Sequence, residues 1–212
     1  MSDRIRLVQI NTDGLTVLVR KDTVEHMHQT CAEWENHTGL VLEKVQYKAM
    51  FIRDVNNYLA VKKSGGIKRI GAYAYETPHD NPYTRERQWH QDHSMLVIRK
   101  AAEAFMVHGT PIEEFIMNHR DIHDFQLSVK VPRNSRLEWG DQVVQNTTRY
   151  YVSTRGKGLT KVMPPLKGKP QERRIGVQKG WTVTITNDIS NFKWGDVNWL
   201  FYIEEAKKLL VT

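Results

Sequence analysis

Cysteine is almost absent from this chain. Cys31 stands alone among 212 residues, so no internal disulfide can form, and a reducing cytoplasm is the expected setting. Long apolar runs are missing as well. No stretch of about 18 apolar residues occurs, which argues against a membrane span. The first residues, Met1-Ser2-Asp3-Arg4, lead into alternating sequence rather than into the apolar core of a signal peptide. There is no P-loop glycine pattern, no Cys-x-x-Cys pair and no His-Glu-x-x-His. His26 and His28 lie two apart on an expected helix and point to different faces. His90 and His93 could share a face but lack a third ligand, so zinc is not expected.

What is present describes a soluble, basic chain. Hydrophobic residues make up 40% and charged residues 26%, enough for a core and a wetted surface. The length suits one large domain or two small ones. Lys plus Arg exceed Asp plus Glu by 31 − 24 = 7, and the pI is near 9.4. That balance favours an anionic partner such as nucleic acid.

The pattern along the chain predicts an α+β fold. Arg4 to Ile10 and Leu15 to Arg20 alternate as strands and are joined through Asn11-Thr12-Asp13-Gly14, where Asp-Gly signals a hairpin. A helix follows, capped by Asp22 or Thr23. Val24, Met27, Cys31 and Trp34 lie at helical spacing on it, which places Cys31 in a core. His37-Thr38-Gly39 ends this helix. Strands are expected over Leu40 to Ile52, Asn57 to Val61 and Ile67 to Tyr75, the last two joined by Ser64-Gly65-Gly66. Residues 1–76 thus read as one helix over a mostly antiparallel sheet, and the polar, proline-bearing stretch 77–94 as a linker.

Residues 95–212 read as a second domain. Helices are expected over Met95 to Val107, Ile112 to Met117 and Val197 to Leu210. In the last of these Leu200, Ile203, Lys207 and Leu210 form the stripe. Strands are expected over Phe125 to Val131, Thr148 to Ser153 and Trp181 to Thr186. Between them, Arg155 to Arg174 holds seven cations (Arg155, Lys157, Lys161, Lys167, Lys169, Arg173 and Arg174) against one acid, Glu172, with three glycines and three prolines. It reads as a mobile basic ribbon, not as a central strand.

Three stretches in order carry a resemblance: "QINTDG" before a capped helix, then "LVLEKVQYKAMFIRDVNNYLAV", then "GGIKRIGAY". They resemble the C-terminal part of phage-type family B DNA polymerases, most clearly over residues 4–76. In that family a strand-turn-strand motif, Tyr-x-Asp-Thr-Asp-Ser, presents a carboxylate to the catalytic metals. Asn11-Thr12-Asp13-Gly14 matches it, with Asp13 at the metal-ligand position and Asn11 in place of the first Asp. The resemblance implies that Asn56, Asn57, Tyr58 and Lys68 contact primer-template DNA, the asparagines by hydrogen bonding to minor-groove acceptors. It also implies a partial palm followed by a thumb-like domain.

The implied chemistry is nucleotidyl transfer from a deoxynucleoside triphosphate. Two Mg²⁺ ions about 3.5–4 Å apart would stabilise the attacking and leaving oxygens. Such a site needs a further carboxylate, and the family's upstream motifs, Asp-x-x-x-Leu-Tyr-Pro and Lys-x-x-x-Asn-Ser-x-Tyr-Gly, do not occur here. The expectation is therefore one subunit of a split polymerase in an infected bacterial cell. Asp13 would hold metal, the basic ribbon would grip phosphates, and an N-terminal polymerase subunit would supply the remaining motifs. Two alternatives stand beside it. One is a non-catalytic, basic nucleic-acid-binding protein. The other is a metal nuclease using Asp13 with Glu43 or Asp54.

Overall fold

The computed structural model describes residues 5–11, 14–75 and 95–210. The chain is α+β. Among the described residues four α-helices and twelve strands occur, every paired strand is antiparallel, and a helix lies near the C-terminus. Two compact units divide it, the first reaching Ala72 and the second running from Tyr73 to Leu210. The expected linker, 77–94, lies outside the described residues, as do His90 and His93.

The first unit begins with β1 (Ile5–Asn11) and β2 (Gly14–Val19), a two-stranded hairpin with a register shift between Leu7 and Gln9. Alternation along β2 puts Leu15, Val17 and Val19 on one face, and their partners Ile10, Leu7 and Ile5 share it. That face is wholly apolar. Asn11 pairs with Gly14, so Gly14 is a strand residue and not the centre of the turn. Its φ is not positive, and an added Cβ would meet only Asn11 Oδ1 at 3.8 Å. Glycine's left-handed freedom is therefore not used at this position.

Helix α1 (Val24–Thr38) starts at Thr23, yet no side chain caps it. The Thr23 hydroxyl bonds Asp22 Oδ1 instead, at 3.2 Å. Gly39, at φ 71°, closes the helix and donates its N–H to the Glu35 carbonyl. None of its residues is fully buried, and Cys31 is only half-buried, so the expected core position is not reached.

The strand expected from Leu40 begins later. Residues 39–46 are irregular because Glu35 takes over their donors: its carboxylate accepts from Leu42 N at 2.7 Å and Lys44 Nζ at 3.3 Å. The Leu42 N–H, with Lys44 beside it, holds the Glu35 carboxyl below its ordinary value. Strands β3 (Tyr47–Asp54), β4 (Asn57–Lys62) and β5 (Ile67–Ile70) then form a meander with β4 central. Gly71, at φ 63°, follows, and an added Cβ there would lie 2.0 Å from the Asn56 carbonyl oxygen, so only glycine fits.

The second unit packs helices α2 (Leu96–His108), α3 (Ile112–Asn118) and α4 (Trp199–Lys207) against one another. Its strands are β6 (Leu127–Lys130), β7 (Arg136–Trp139), β8 (Gln142–Val144), β9 (Thr147–Lys157), β10 (Leu159–Met163), β11 (Arg173–Gly176) and β12 (Val183–Ile185). They form two sheets, ordered β12-β9-β6 and β11-β10-β7-β8. Trp139 Nε1 donates to the Val183 carbonyl at 2.7 Å and joins them. The core gathers Phe125, Leu137, Tyr150, Tyr151, Val183 and Tyr202, all nearly inaccessible. Tyr202 OH accepts from Val152 N at 3.0 Å and donates to Phe125 O at 2.8 Å, while burial pushes its pKa far up.

Two expectations change here. The buried side of α4 carries Phe201, Tyr202 and Ala206, and Ile203 and Leu210 of the expected stripe pack against the same core, while Leu200 is exposed. Half of the basic ribbon is sheet: β10 runs between β11 and β7, with Leu159 and Val162 buried, so a central strand does lie inside it. Its glycines and prolines are accommodated at the strand ends and in residues 164–172.

Candidate functional site

The candidate centre is the tip of the β1–β2 hairpin. Asn11 and Gly14 form its last described pair and both are exposed. Thr12 and Asp13, which join them in sequence, lie outside the described residues. The hairpin is pinned from its polar face. Gln9 sits there, only 9% exposed, and its Nε2 donates to the Val55 carbonyl at 2.9 Å, in the turn between β3 and β4. This bond joins the hairpin that carries Asp13 to the sheet that carries Tyr58 and Lys68. Gln9 was not among the expected site residues. A polar side chain inside an otherwise alternating apolar strand was the available signal.

The β3–β4 turn is internally satisfied. Asp54 accepts from Asn56 N at 2.9 Å and from Asn57 Nδ2 at 2.8 Å on each carboxylate oxygen. The Asn57 bond, then the Asn56 one, holds its carboxyl below the ordinary value. Asn57 Oδ1 accepts from Ala72 N at 2.7 Å. Both ends of the Asn57 amide are thus engaged in shaping the turn. Asn56 is exposed at the same turn. Asp54 acts as a turn anchor, and Glu43 lies exposed in the irregular segment rather than on a strand.

Tyr58 and Lys68 do come together. Tyr58 pairs with Ile70 and Lys68 with Ala60, which sets the two side chains diagonally on one face. Lys68 Nζ lies 5.9 Å from the Tyr58 ring centroid, within cation–π reach. The Tyr58 ring is 8% exposed and Lys68 exposed, so the ammonium is the group that reaches solvent.

In the second unit the seven expected cations divide. Arg174 pairs with Glu138, and Glu138 also takes Arg136 at 2.8 Å. Arg136 in turn grips Glu172 through two bonds of 2.8 and 2.9 Å. Arg155 lies 3.5 Å from Asp196, and the Arg173 guanidinium donates to the Pro164 carbonyl at 3.2 Å. Lys157 Nζ stands 5.1 Å over the Trp139 ring. The acids that neutralise part of the ribbon come from β7 and from residue 196, far in sequence, so counting Glu172 alone overstated the free charge. Lys161, Lys167 and Lys169 make no ion pair with described residues.

Among the described residues no group of three His, Cys, Asp or Glu could hold a metal ion, and no helix is long and apolar enough to cross a membrane. No protein-family model matches the chain, and comparison with curated proteins and with solved structures gives no match.

Proposed function

We propose that the chain is the C-terminal subunit of a split family B DNA polymerase, supplying one metal-binding carboxylate, Asp13, and part of the primer-template surface. The observation that carries this reading is the hairpin. Two strands pair up to Asn11 and Gly14 and are fixed through Gln9 to the β3–β4 turn, the kind of support that a metal-binding carboxylate needs. Chain order adds support, because Tyr58 and Lys68 follow on one face of one sheet.

When bound, Mg²⁺ would neutralise charge on the triphosphate and activate the primer hydroxyl. Asp13 would hold it. One carboxylate fits a shared site and not a self-sufficient one, since Asp54 is spent on its turn. Lys68 would draw the primer-template backbone toward the sheet. Lys161, Lys167 and Lys169 would add phosphate contacts, each steepening the salt dependence of binding by about one unit.

The test is Asp13→Ala in the complex with the upstream polymerase subunit, read by primer extension and by DNA retention. Extension is expected to fall by about 10³-fold or more, the scale of losing one electrostatic stabiliser of a transition state, with DNA binding kept. Undiminished extension would overturn the assignment. The rival reading, a non-catalytic nucleic-acid-binding protein, is favoured by Lys161, Lys167 and Lys169, which make no ion pair with described residues. It predicts salt-sensitive DNA binding by the chain alone, with no extension in any complex.

A further inference from the structure

We infer that one face of the sheet β12-β9-β6 carries a phosphate-binding site centred on Arg149, with Thr186 and Gln126 as its inner hydrogen-bonding groups. The site lies within the second unit and does not depend on the polymerase reading. Register puts the three residues together. Arg149, on the central strand β9, pairs with Ser128 of β6, and its carbonyl accepts from Thr186 N at 2.8 Å just past the end of β12. Gln126 is extended, one residue ahead of β6, and stands across from Tyr151 in the same register. Alternation therefore sends the side chains of Gln126, Arg149 and Thr186 to one face. Lys130, exposed, follows on that face and adds positive charge.

Burial and pairing set these groups apart. Thr186 is 2% exposed and Gln126 5%, yet the Thr186 hydroxyl and both ends of the Gln126 amide have no hydrogen-bond partner among the described residues. On the same face the Ser153 and Thr184 hydroxyls satisfy each other at 2.7 Å. Arg149 is half-buried. Its backbone N–H donates to Asn187 Oδ1, but its guanidinium makes no ion pair and no hydrogen bond with described residues. Buried polar groups without partners destabilise a fold, so a cluster of them calls for something that completes it.

Charge and geometry select the ligand. Arg149 calls for an anion. A planar carboxylate would be filled by the arginine fork alone. Donors on three neighbouring chain segments suit a tetrahedral oxyanion instead: the Arg149 guanidinium, Thr186 Oγ1 and Gln126 Nε2. Gln126 Oε1 needs a donor in turn, and a phosphate that keeps one proton supplies it. Inorganic phosphate and a terminal phosphomonoester can do so near neutral pH, whereas a phosphodiester has no such proton. Arg149, the half-open member, is the side from which the ligand enters.

The experiment titrates inorganic phosphate into the full chain at constant ionic strength, following the melting temperature and the phosphate NMR linewidth. Saturable binding is expected, with the melting temperature raised by about 3–6 °C at ten times the Kd. Arg149→Gln should weaken binding by about 10-fold or more. Thr186→Val and Gln126→Met keep the side-chain volumes, and each should weaken it by about 5-fold. Each should also raise the melting temperature of the phosphate-free chain by about 2–4 °C, because an orphaned polar group is removed. Arg133→Gln, at an exposed arginine of the same unit, should leave affinity within about 2-fold.

Competition names the source of the phosphate. Displacement by a 5′-phosphorylated oligonucleotide, but not by its 5′-hydroxyl counterpart, identifies a terminal phosphomonoester; displacement by neither identifies the free ion. No saturable binding, binding indifferent to Arg149→Gln, or an equal loss in Arg133→Gln overturns the inference. Unchanged affinity in both Thr186→Val and Gln126→Met also overturns it, since the two groups would then hold trapped water. Equal displacement by the 5′-hydroxyl oligonucleotide does so too, because the face would then be a groove for the nucleic-acid backbone.

Discussion

The two units of this chain are built on opposite economies of apolar surface. Among the described residues, the first unit buries three hydrophobic side chains, Tyr58, Leu59 and Ala60, and exposes ten large ones. The second unit buries twenty-four and exposes seven. Burial of apolar area is the main favourable term in folding, so the second unit holds a complete core and the first holds part of one. Strand order in the first unit is fixed by hydrogen bonds and turns: Gln9 to Val55, Asp54 to Asn57, Asn57 to Ala72. Polar bonds of this kind set geometry at small net stability.

The sharpest way to break that contrast is to attack the polar centre of the second unit. Asp124, fully buried, takes Lys100 Nζ and His119 Nε2 on one oxygen, each at 2.5 Å, and so ties α2 to the end of α3. Asp124→Asn is expected to cost about 3–5 kcal/mol of unfolding free energy in urea, because it removes the buried charge that holds Lys100 and His119, both only partly exposed. Leu137→Ala should cost about 2–5 kcal/mol by leaving a cavity, whereas Leu15→Ala in the isolated chain should change stability by less than about 0.5 kcal/mol. An equal effect of the two leucine substitutions would erase the distinction between the units.

The same aspartate gives a pH dependence. Burial pushes its carboxyl up, but the bonds from His119 and Lys100 outweigh it and hold the pKa below the ordinary value. A carboxyl whose folded pKa is depressed contributes stability above its unfolded pKa, near 3.9, and loses it as pH falls through the folded value. Urea midpoints measured from pH 7 downward should therefore drop below about pH 4, and the drop should shrink in Asp124→Asn.

How legible this was depends on the range of the forces involved. The hairpin, α1, α2, α3 and the β3–β4–β5 meander follow from alternation, helical spacing and glycine turns, all local signals. What escaped was set at a distance. Residues 39–46 look like strand until Glu35 captures the Leu42 N–H. Strands β7 and β8 are too short to show a period, and their Gly140-Asp141 turn passes for loop. Leu159 and Val162 lie among glycines, prolines and cations, yet β7 and β11 flank them and make β10 central. At the candidate site, Asn57 is a plausible base reader in sequence, and only the folded turn shows its amide engaged at both ends. Gln9 could be noticed as a polar break in β1, but its partner is 46 positions away.

The smallest effect tests whether the basic sheet of the second unit is organised by charge. Arg136, Glu138, Glu172 and Arg174 alternate in sign across β7, β11 and the segment before it, and Arg136 is held ionised most strongly by Glu172, then by Glu138. Arg136, Glu172 and Arg174 are well exposed and Glu138 is half-buried, so solvent screens the pairs and they contribute little. Arg136→Gln should lower the melting temperature by at most about 2 °C. It should also free Glu138 and Glu172 to compete for Arg174 and the neighbouring lysines. If the sheet binds nucleic acid, that competition weakens DNA retention while stability barely moves. Equal loss of both would mean that the alternating charges hold the strands in register, and that the second unit owes part of its order to something other than its core.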